Sequence, residues 1–154
     1  MPLVGLAWRG NPQQANDQRR SIELAQLMRY LPQGARYVRL QGDVSEADRQ
    51  TIESHAGLRQ LLQPPGDFSD TAALIDCLDV VITVDTSIAH LSGALGRETW
   101  LLLPYAPDWR WLLDRDDSPW YRSVRLYRQE RAGVWEGPLG RVEEALSALQ
   151  PRAA

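Results

Sequence analysis

The sequence predicts an α/β fold, a doubly wound parallel sheet with helices on both of its faces. Strand-like and helix-like patterns alternate from one end of the chain to the other, which is typical of parallel βαβ units. The run from Val80 to Val84 contains only β-branched residues, as in a strand that is covered on both faces. The 154 residues suffice for one domain, which we expect over residues 1–150, with residues 151–154 as a tail.

The first half of the chain is predicted to hold three strands and two helices. In order they are a strand from Leu3 to Trp8, a helix from about Ser21 to Leu31, a strand from Tyr37 to Gln41, a helix from Ser45 to about His55 and a strand from Leu58 to Leu62. A polar loop, residues 9–20, separates the first strand from the first helix. Ser45 and Asp48 have the spacing of a capping box, which predicts the start of the second helix.

The second half continues the alternation. It holds a helix with Phe68, Thr71, Ala72, Ile75 and Leu78 at helical spacing, the strand from Val80 to Val84, a short helix with Ile88, Leu91, Ser92 and Leu95, strands from Thr99 to Leu103 and from Val124 to Tyr127, and a last helix with Leu139, Val142, Leu146 and Leu149 on one face. Gly96 falls where a left-handed C-terminal cap belongs, and Pro138 falls near the first turn of the last helix. Cys77 is predicted to be buried on the apolar face of its helix.

Composition excludes several kinds of function. A formal net charge of −3 offers no broad basic face, so we do not expect nucleic-acid binding. The opening apolar run is too short for a signal peptide or a membrane span, which predicts a cytoplasmic protein without a transmembrane segment. All 17 basic side chains are arginines, so no lysine can act as a base or bind a phosphate. Cys77, His55 and His90 are too far apart in sequence for a recognised metal motif, and no metal site is expected.

The strand order predicts where a ligand binds. If the strands take the order 3-2-1-4-5, the first and fourth lie side by side, and their connections leave in opposite directions. Ligands of such sheets bind at this switch point, beyond the carboxyl ends of the strands. The loop of residues 9–20 and the turn of residues 85–87 meet there, and they are the two most polar strand-to-helix connections in the chain.

The chemistry of the turn suits a phosphorylated ligand. Thr86 or Ser87 would cap the following helix, whose free N–H groups and dipole favour an anion such as a diphosphate. Asp85 would repel phosphate and is better suited to accept hydrogen bonds from sugar hydroxyls. His90 follows on the next turn, where its ring can reach back toward the ligand.

The other wall of the predicted crevice carries arginines. Arg9, Arg19 and Arg20 supply positive charge, and a guanidinium group can bind a phosphate with two donors. No GxGxxG follows the first strand, which disfavours a dinucleotide-binding domain.

Simpler interpretations of the same residues remain open at this point. Asp-Thr-Ser before a helix can be an N-cap alone, and one histidine on a helix can be a structural hydrogen-bonding group. The tryptophans at positions 109, 111 and 120 could stack on a base or a sugar, or they could cover the edge of the core.

The stretch DTSIAHLSGALG, residues 85–96, resembles the donor-site motif of the heptosyltransferase-like glycosyltransferases (glycosyltransferase family 9), usually D-T-G/S-x-x-H-x-x-x-A-L-G. The similarity extends to WRGNP, ND and RRSI in the first loop, to the Leu40-Gln41-Gly42 step, to DFSDTAALI and to LLPYAPDWRWLLDRDDSPWY. These segments are similar to the C-terminal glycosyltransferase region that follows tetratricopeptide repeats in many bacterial proteins. Together they span nearly the whole chain.

The resemblance implies the Rossmann-like half of a GT-B glycosyltransferase that binds a nucleotide-diphosphate sugar as its substrate and needs no further cofactor. By position, the backbone of Thr86 and Ser87 would bind the diphosphate, and Asp85 and His90 would lie near the sugar and phosphates. The remaining implied donor-binding residues are Asn11, Arg20 and Ser21, which would close over the phosphates, and Gln41, near the nucleoside. Family members with a lysine in the first loop use its charge. This chain has no lysine, so either the arginines substitute for it or the donor is held differently.

The resemblance also implies a missing part. In this family the acceptor site and the catalytic base come from an N-terminal half, so the catalytic residue is unknown and an acceptor domain or partner chain is expected. The implied reaction is metal-independent sugar transfer with inversion. The alternative is a noncatalytic nucleotide or sugar-nucleotide sensor, or a protein-interaction module.

Overall fold

The computed structural model describes residues 1–55, 57 and 66–150. The strands are β1 (Leu3–Ala7), β2 (Arg36–Arg39), β3 (Val80–Val84), β4 (Thr99–Leu103) and β5 (Val124–Arg128). The helices are α1 (Asp17–Arg20), α2 (Leu24–Met28), α3 (Glu46–Ser54), α4 (Phe68–Asp76), α5 (Ser87–Ala94) and α6 (Glu136–Ala148), with a 3-10 turn at Trp109–Trp111. The strand predicted from Leu58 to Leu62 lies outside the described residues.

The sheet has five parallel strands in the order β2-β1-β3-β4-β5. β1 pairs directly with β3, with Gly5 opposite Val81 and Leu6 opposite Ile82. The prediction that the first strand lies beside the strand of Val80–Val84 is therefore confirmed, and the Rossmann-like α/β fold with it. The connections from β1 and β3 leave toward opposite edges of the sheet, so the switch point falls between their carboxyl ends.

Helices cover both faces of the sheet because side chains alternate along each strand. On one face Val4 and Leu6 of β1 pack with Leu24 of α2 and with Leu139 and Val142 of α6. On the other face Val81 packs with Ile75 of α4 and Ile88 of α5. All five residues of β3 are buried, as expected for a strand covered on both sides.

Gly5 allows the second face to close tightly. A Cβ atom at this position would lie 2.5 Å from Leu78 Cδ1 and 2.7 Å from Leu40 Cδ1, closer than real side chains approach. Glycine at the centre of β1 therefore brings two large side chains directly onto the strand.

Two sequence expectations about helix ends are confirmed. Ser45 caps α3 in a capping box, with its Oγ accepting from the Asp48 N–H (3.1 Å) and an Asp48 carboxylate oxygen accepting from the Ser45 N–H (3.0 Å). Gly96 follows α5 with a φ of 67°, in the left-handed region that glycine adopts without strain.

The helix predicted from about Ser21 to Leu31 is wrong in its bounds. The chain forms two short helices, α1 and α2, and Ser21 between them is extended with a ψ of 148°. The Ser21 hydroxyl accepts a hydrogen bond from the Gly10 N–H, and the Ile22 N–H donates to the Trp8 carbonyl. These contacts compete with helical hydrogen bonds.

The prediction that Cys77 is buried is also wrong, because Cys77 is exposed. α4 ends at Asp76, and the buried side chains on either side of the helix end are Ile75 and Leu78. Cys77 falls on the opposite side from Ile75, because it lies two residues later, about 200° around the helix at about 100° per residue.

No helix in residues 1–55 and 66–150 combines the length and the apolar character needed to cross a membrane.

Candidate functional site

The turn after β3 carries the start of α5. Thr86 has an extended backbone (φ −136°, ψ 176°), and its Oγ1 accepts a hydrogen bond from the Ile88 N–H at 3.3 Å. Thr86 is thus the N-cap, and Ser87 is the exposed first residue of the helix. The N–H groups of a first helical turn lack acceptors four residues earlier, so this end of α5 can bind an anion.

A crevice of about 950 Å³ opens at the switch point. Its walls are formed by Ala7 and by residues 9–13, 40–45, 66–68, 71 and 86–88. They belong to the first loop, the segment after β2, the start of α4 and the start of α5. The crevice therefore lies where the strand order predicts a ligand.

The eight residues predicted to bind the donor divide into two sets. Those lining the crevice are Asn11, Gln41, Thr86 and Ser87. Those not among its lining residues are Arg20, Ser21, Asp85 and His90. The two sets meet at the turn of residues 85–87. Their binding roles stay predictions.

The Gln41 side chain forms hydrogen bonds with backbone groups at the edge of the crevice. Its Oε1 accepts from the N–H groups of Trp8 (2.8 Å) and Arg9 (3.0 Å), and its Nε2 donates to the Asp43 carbonyl at 2.8 Å. The amide joins the end of β1 to the segment after β2. Gln41 therefore shapes the wall along which a nucleoside would lie.

Arg20 connects the two sides of the switch point. Its Nη1 donates to the Asp85 carbonyl at 2.8 Å, and its Nε donates to Asp17 Oδ1 at 3.2 Å. Asp17 neutralises part of its charge. The main role of Arg20 in this structure is therefore to connect the first loop to the turn after β3. Gly10 leaves room for this arrangement, because a Cβ atom there would overlap the Arg20 and Asp17 side chains where they now lie.

The other residues of the first loop differ in what they offer a ligand. Asn11 is exposed, and its Oδ1 accepts from the Gln13 N–H at 2.9 Å, which fixes the loop in a tight turn. Arg9 lines the crevice, and its Nη2 lies 3.9 Å from Asp48 Oδ2. Arg19 is exposed on α1. Of the three predicted arginines, Arg9 is the one that faces the crevice.

His90 and Asp85 face each other on the far side of the turn. His90 Nε2 lies 4.0 Å from Asp85 Oδ1, and His90 Nδ1 lies 3.0 Å from the Tyr121 hydroxyl. The imidazole ring also stacks on Trp111, with ring centroids 5.3 Å apart and planes inclined by 26°. The His90 side chain remains 40% exposed, so a ligand can reach it.

Asp85 is held in a partly desolvated position. Burial raises the pKa of this carboxyl above its ordinary value, and the Trp111 indole and His90 oppose part of that rise. Trp111 Nε1 is buried without a hydrogen-bond partner of normal geometry, so its influence on Asp85 is that of a nearby dipole. The Asp85 side chain is 17% exposed, and its partial burial is unfavourable for the charge of the carboxylate.

The raised pKa of Asp85 predicts how an Asp85→Asn variant responds to pH. The folded state holds the proton more tightly than the unfolded state, so ionised Asp85 costs stability above its raised pKa. This cost disappears as the pH falls below the unfolded pKa of about 3.9. We therefore expect Asp85→Asn to gain stability relative to the parent at pH 7, and this gain to shrink toward pH 3. Urea unfolding of both proteins across this range measures it, and a gain that grows on acidification would contradict the burial argument.

Sequence reasoning missed Tyr121 and only partly anticipated Trp111. Trp111 is fully buried, whereas Trp109 and Trp120 are 69% and 60% exposed. Trp111 covers the core edge, as the second of its two interpretations predicted, and it also stacks on His90, a contact that neither interpretation included. No periodicity links Tyr121 to His90, which lies 31 residues earlier, so the pattern of the sequence held no signal for that contact.

Among the described residues, no three His, Cys, Asp or Glu side chains come together in a group that could hold a metal ion.

Comparisons with known proteins agree with this geometry. Residues 23–103, more than half of the chain, match the sequence model of glycosyltransferase family 9 (heptosyltransferase). The chain is also similar to Protein FlbA of Caulobacter vibrioides, with 33% identity over 152 residues. That similarity covers 94% of this chain and 25% of FlbA, so the chain spans about a quarter of the relative's length.

Proposed function

Because the chain belongs to glycosyltransferase family 9, the heptosyltransferase family, we propose that its crevice binds a nucleotide-diphosphate sugar for an inverting, metal-independent glycosyltransferase. The observation that carries the proposal is the position of the α5 N-terminus. It lies between the crevice on one side and the facing pair Asp85 and His90 on the other. A diphosphate bound there has its nucleoside in the crevice and its sugar beside the pair.

The crevice has the size and surface that this ligand requires. Its volume of about 950 Å³ is at the upper end of ligand pockets, which range over about 300–1,000 Å³. Leu40, Val44, Phe68 and Ile88 give it an apolar part, and Phe68 is 63% exposed there, where a base could cover its ring. Asn11, Gln41 and Ser87 give it polar groups.

The chain's own residues would assist the departure of the nucleotide diphosphate. Negative charge grows on the leaving diphosphate as the bond to the sugar breaks, and preformed N–H donors at the helix N-terminus stabilise it. Arg9, on the facing wall, adds positive charge. Asp85 and His90 would fix the sugar by its hydroxyls, so that the anomeric carbon stays accessible to an attacking acceptor oxygen.

We assign the acceptor site and the catalytic base to another domain or a partner chain. The basis for this assignment is the family resemblance, in which both come from an N-terminal half. The similarity to a quarter of FlbA supports a donor half that works within a larger protein. An association with tetratricopeptide repeats and a cytoplasmic location are parts of the same proposal.

Calorimetric titration with uridine, adenosine and guanosine diphosphates tests donor binding. We expect at least one of them to bind, with equal affinity in magnesium and in chelator, because the helix N-terminus and Arg9 replace a metal. The corresponding nucleotide sugar should bind at least as tightly. Absence of heat with all three, or binding only with magnesium, would refute the proposal.

A noncatalytic sensor or interaction module is the second candidate. It is favoured by Trp109, Leu113 and Trp120, large apolar side chains that are each at least 60% exposed beside the site. Transfer or hydrolysis of a bound nucleotide sugar, with the acceptor half supplied, would favour the enzyme. Tight binding without turnover under all such conditions would favour the module.

A further inference from the structure

We propose that Tyr121 is a positioning residue for His90, which it holds so that the imidazole Nε2–H faces Asp85 and the donor sugar. The inference deepens the proposed function and rests on it for the identity of the ligand. The contact that suggests it is the 3.0 Å hydrogen bond between the Tyr121 hydroxyl and His90 Nδ1.

Two aromatic rings fix the orientation of the imidazole. Trp111 stacks on it at 5.3 Å between centroids, and Tyr121 meets it edge-on at 5.9 Å with planes inclined by 66°. Stacking restricts the plane of the ring, and the hydrogen bond restricts rotation within that plane. Because Nδ1 is bonded to Tyr121, Nε2 is the imidazole nitrogen that can contact a ligand.

Contacts with Ser118 and Gly93 fix the position of Tyr121. The Ser118 hydroxyl, in a side chain that is 8% exposed, accepts from the N–H groups of Trp120 (3.1 Å) and Tyr121 (3.2 Å). The Tyr121 ring lies on Gly93 of α5, where a Cβ atom would be 2.6 Å from its Cγ. Gly93 is one turn after His90, so the absence of a side chain there lets the hydroxyl reach the imidazole.

The Tyr121 hydroxyl and the neighbouring carboxylate together set the tautomer of His90. Nε2 lies 4.0 Å from Asp85 Oδ1, which is too long for a hydrogen bond but near enough for one ligand hydroxyl to contact both groups. A carboxylate favours a proton on the nitrogen that faces it, so Nε2 carries the hydrogen and Nδ1 accepts from Tyr121. His90 is thereby prepared to donate to a sugar or phosphate oxygen.

Nitrogen NMR of the histidines tests positioning without any ligand. The chain has two histidines, His55 and His90, so the His90 signals can be assigned by comparison with a His90→Ala variant. We expect neutral His90 to be almost entirely the Nε2–H tautomer in the parent, and Tyr121→Phe to produce a mixture. Tyr105→Phe, the same change at a 59% exposed tyrosine, is the matched control and should leave the tautomer unchanged. An unchanged tautomer in Tyr121→Phe would overturn the proposal.

Affinity then tests the consequence for the donor. Tyr121→Phe should weaken binding of the nucleotide sugar by about fivefold, a typical loss from one misaligned hydrogen bond, with less effect on the free diphosphate. In a His90→Ala background the same substitution should have no further effect, because Tyr121 acts through His90. A full effect in that background would overturn the proposal. A changed tautomer with unchanged sugar affinity would support positioning and count against the donor role of His90.

If Tyr121→Phe fails to fold, Gly93→Ala supplies the second variant. The added methyl group pushes the Tyr121 ring away from α5, so the same tautomer mixture should appear. An unchanged His90 tautomer in folded Gly93→Ala would again contradict the assignment.

Discussion

Replacement of Trp111 by Ala is expected to lower the free energy of unfolding by about 3–5 kcal/mol, the cost of deleting a large buried aromatic side chain. Trp111 is 0% exposed and packs in one cluster with Leu101, Leu103 and Leu126. Leu101 and Leu103 lie on β4 and Leu126 lies on β5, so the sheet restricts how far they can move into the space left by an indole. Urea unfolding followed by circular dichroism measures the loss.

Trp109 provides the matched control, because it lies in the same 3-10 turn and is 69% exposed. Trp109→Ala should change the free energy of unfolding by no more than about 0.5 kcal/mol, as is usual for surface substitutions. Equal effects of the two substitutions would show that Trp111 is not an anchor of the fold. Binding to the folded Trp111→Ala population should also weaken, since His90 loses the ring on which it stacks.

Ser87→Asp is expected to separate binding from stability. The new carboxylate would lie at the proposed diphosphate position, and two like charges about 4 Å apart near a protein surface repel by about 4 kcal/mol. We expect affinity for nucleoside diphosphates to fall by about a hundredfold or more, equivalent to about 2.7 kcal/mol. The same carboxylate favours the helix dipole, so the free energy of unfolding should be unchanged or higher by about 0.3–1 kcal/mol.

Ser87→Asn is the control for this substitution, because it matches aspartate in size and carries no charge. It should retain most of the affinity, with a loss of no more than about tenfold. Calorimetry gives the affinities, and thermal melts give the stabilities. If Asp and Asn weaken binding equally, the effect is steric and the diphosphate does not lie at the start of α5.

The strands of the sheet could be predicted from the sequence because each strand is encoded by a local pattern of residues. The β-branched run Val80–Val84 and the continuous run of non-polar residues in β1 predict strands that are buried on both faces, and the crossover and switch-point rules then order them. The same rules predicted the position of the crevice. The strand predicted from Leu58 to Leu62 and the tail predicted at residues 151–154 lie beyond the described residues.

The details of the site depend on contacts between distant residues, which local patterns do not contain. Arg20 was predicted to face phosphate, yet Asp17 and the Asp85 carbonyl compete for its donors. Gln41 was predicted to lie near the nucleoside, and its amide is occupied by backbone groups on two segments. The contact between Tyr121 and His90 arises from a close approach over Gly93. In each case the partner of the polar group is a residue that is distant in sequence or an unexpected neighbour in the folded chain.

The connection made by Arg20 affects the rate of ligand association and the free energy needed to order the site. One guanidinium group ties the first loop to the turn after β3, so the two walls of the crevice keep their spacing when no ligand is bound. Their alignment is achieved during folding, and a ligand does not have to order them. Association should therefore follow rigid-body kinetics, with a single exponential whose rate increases in proportion to ligand concentration and reaches no plateau set by a conformational step.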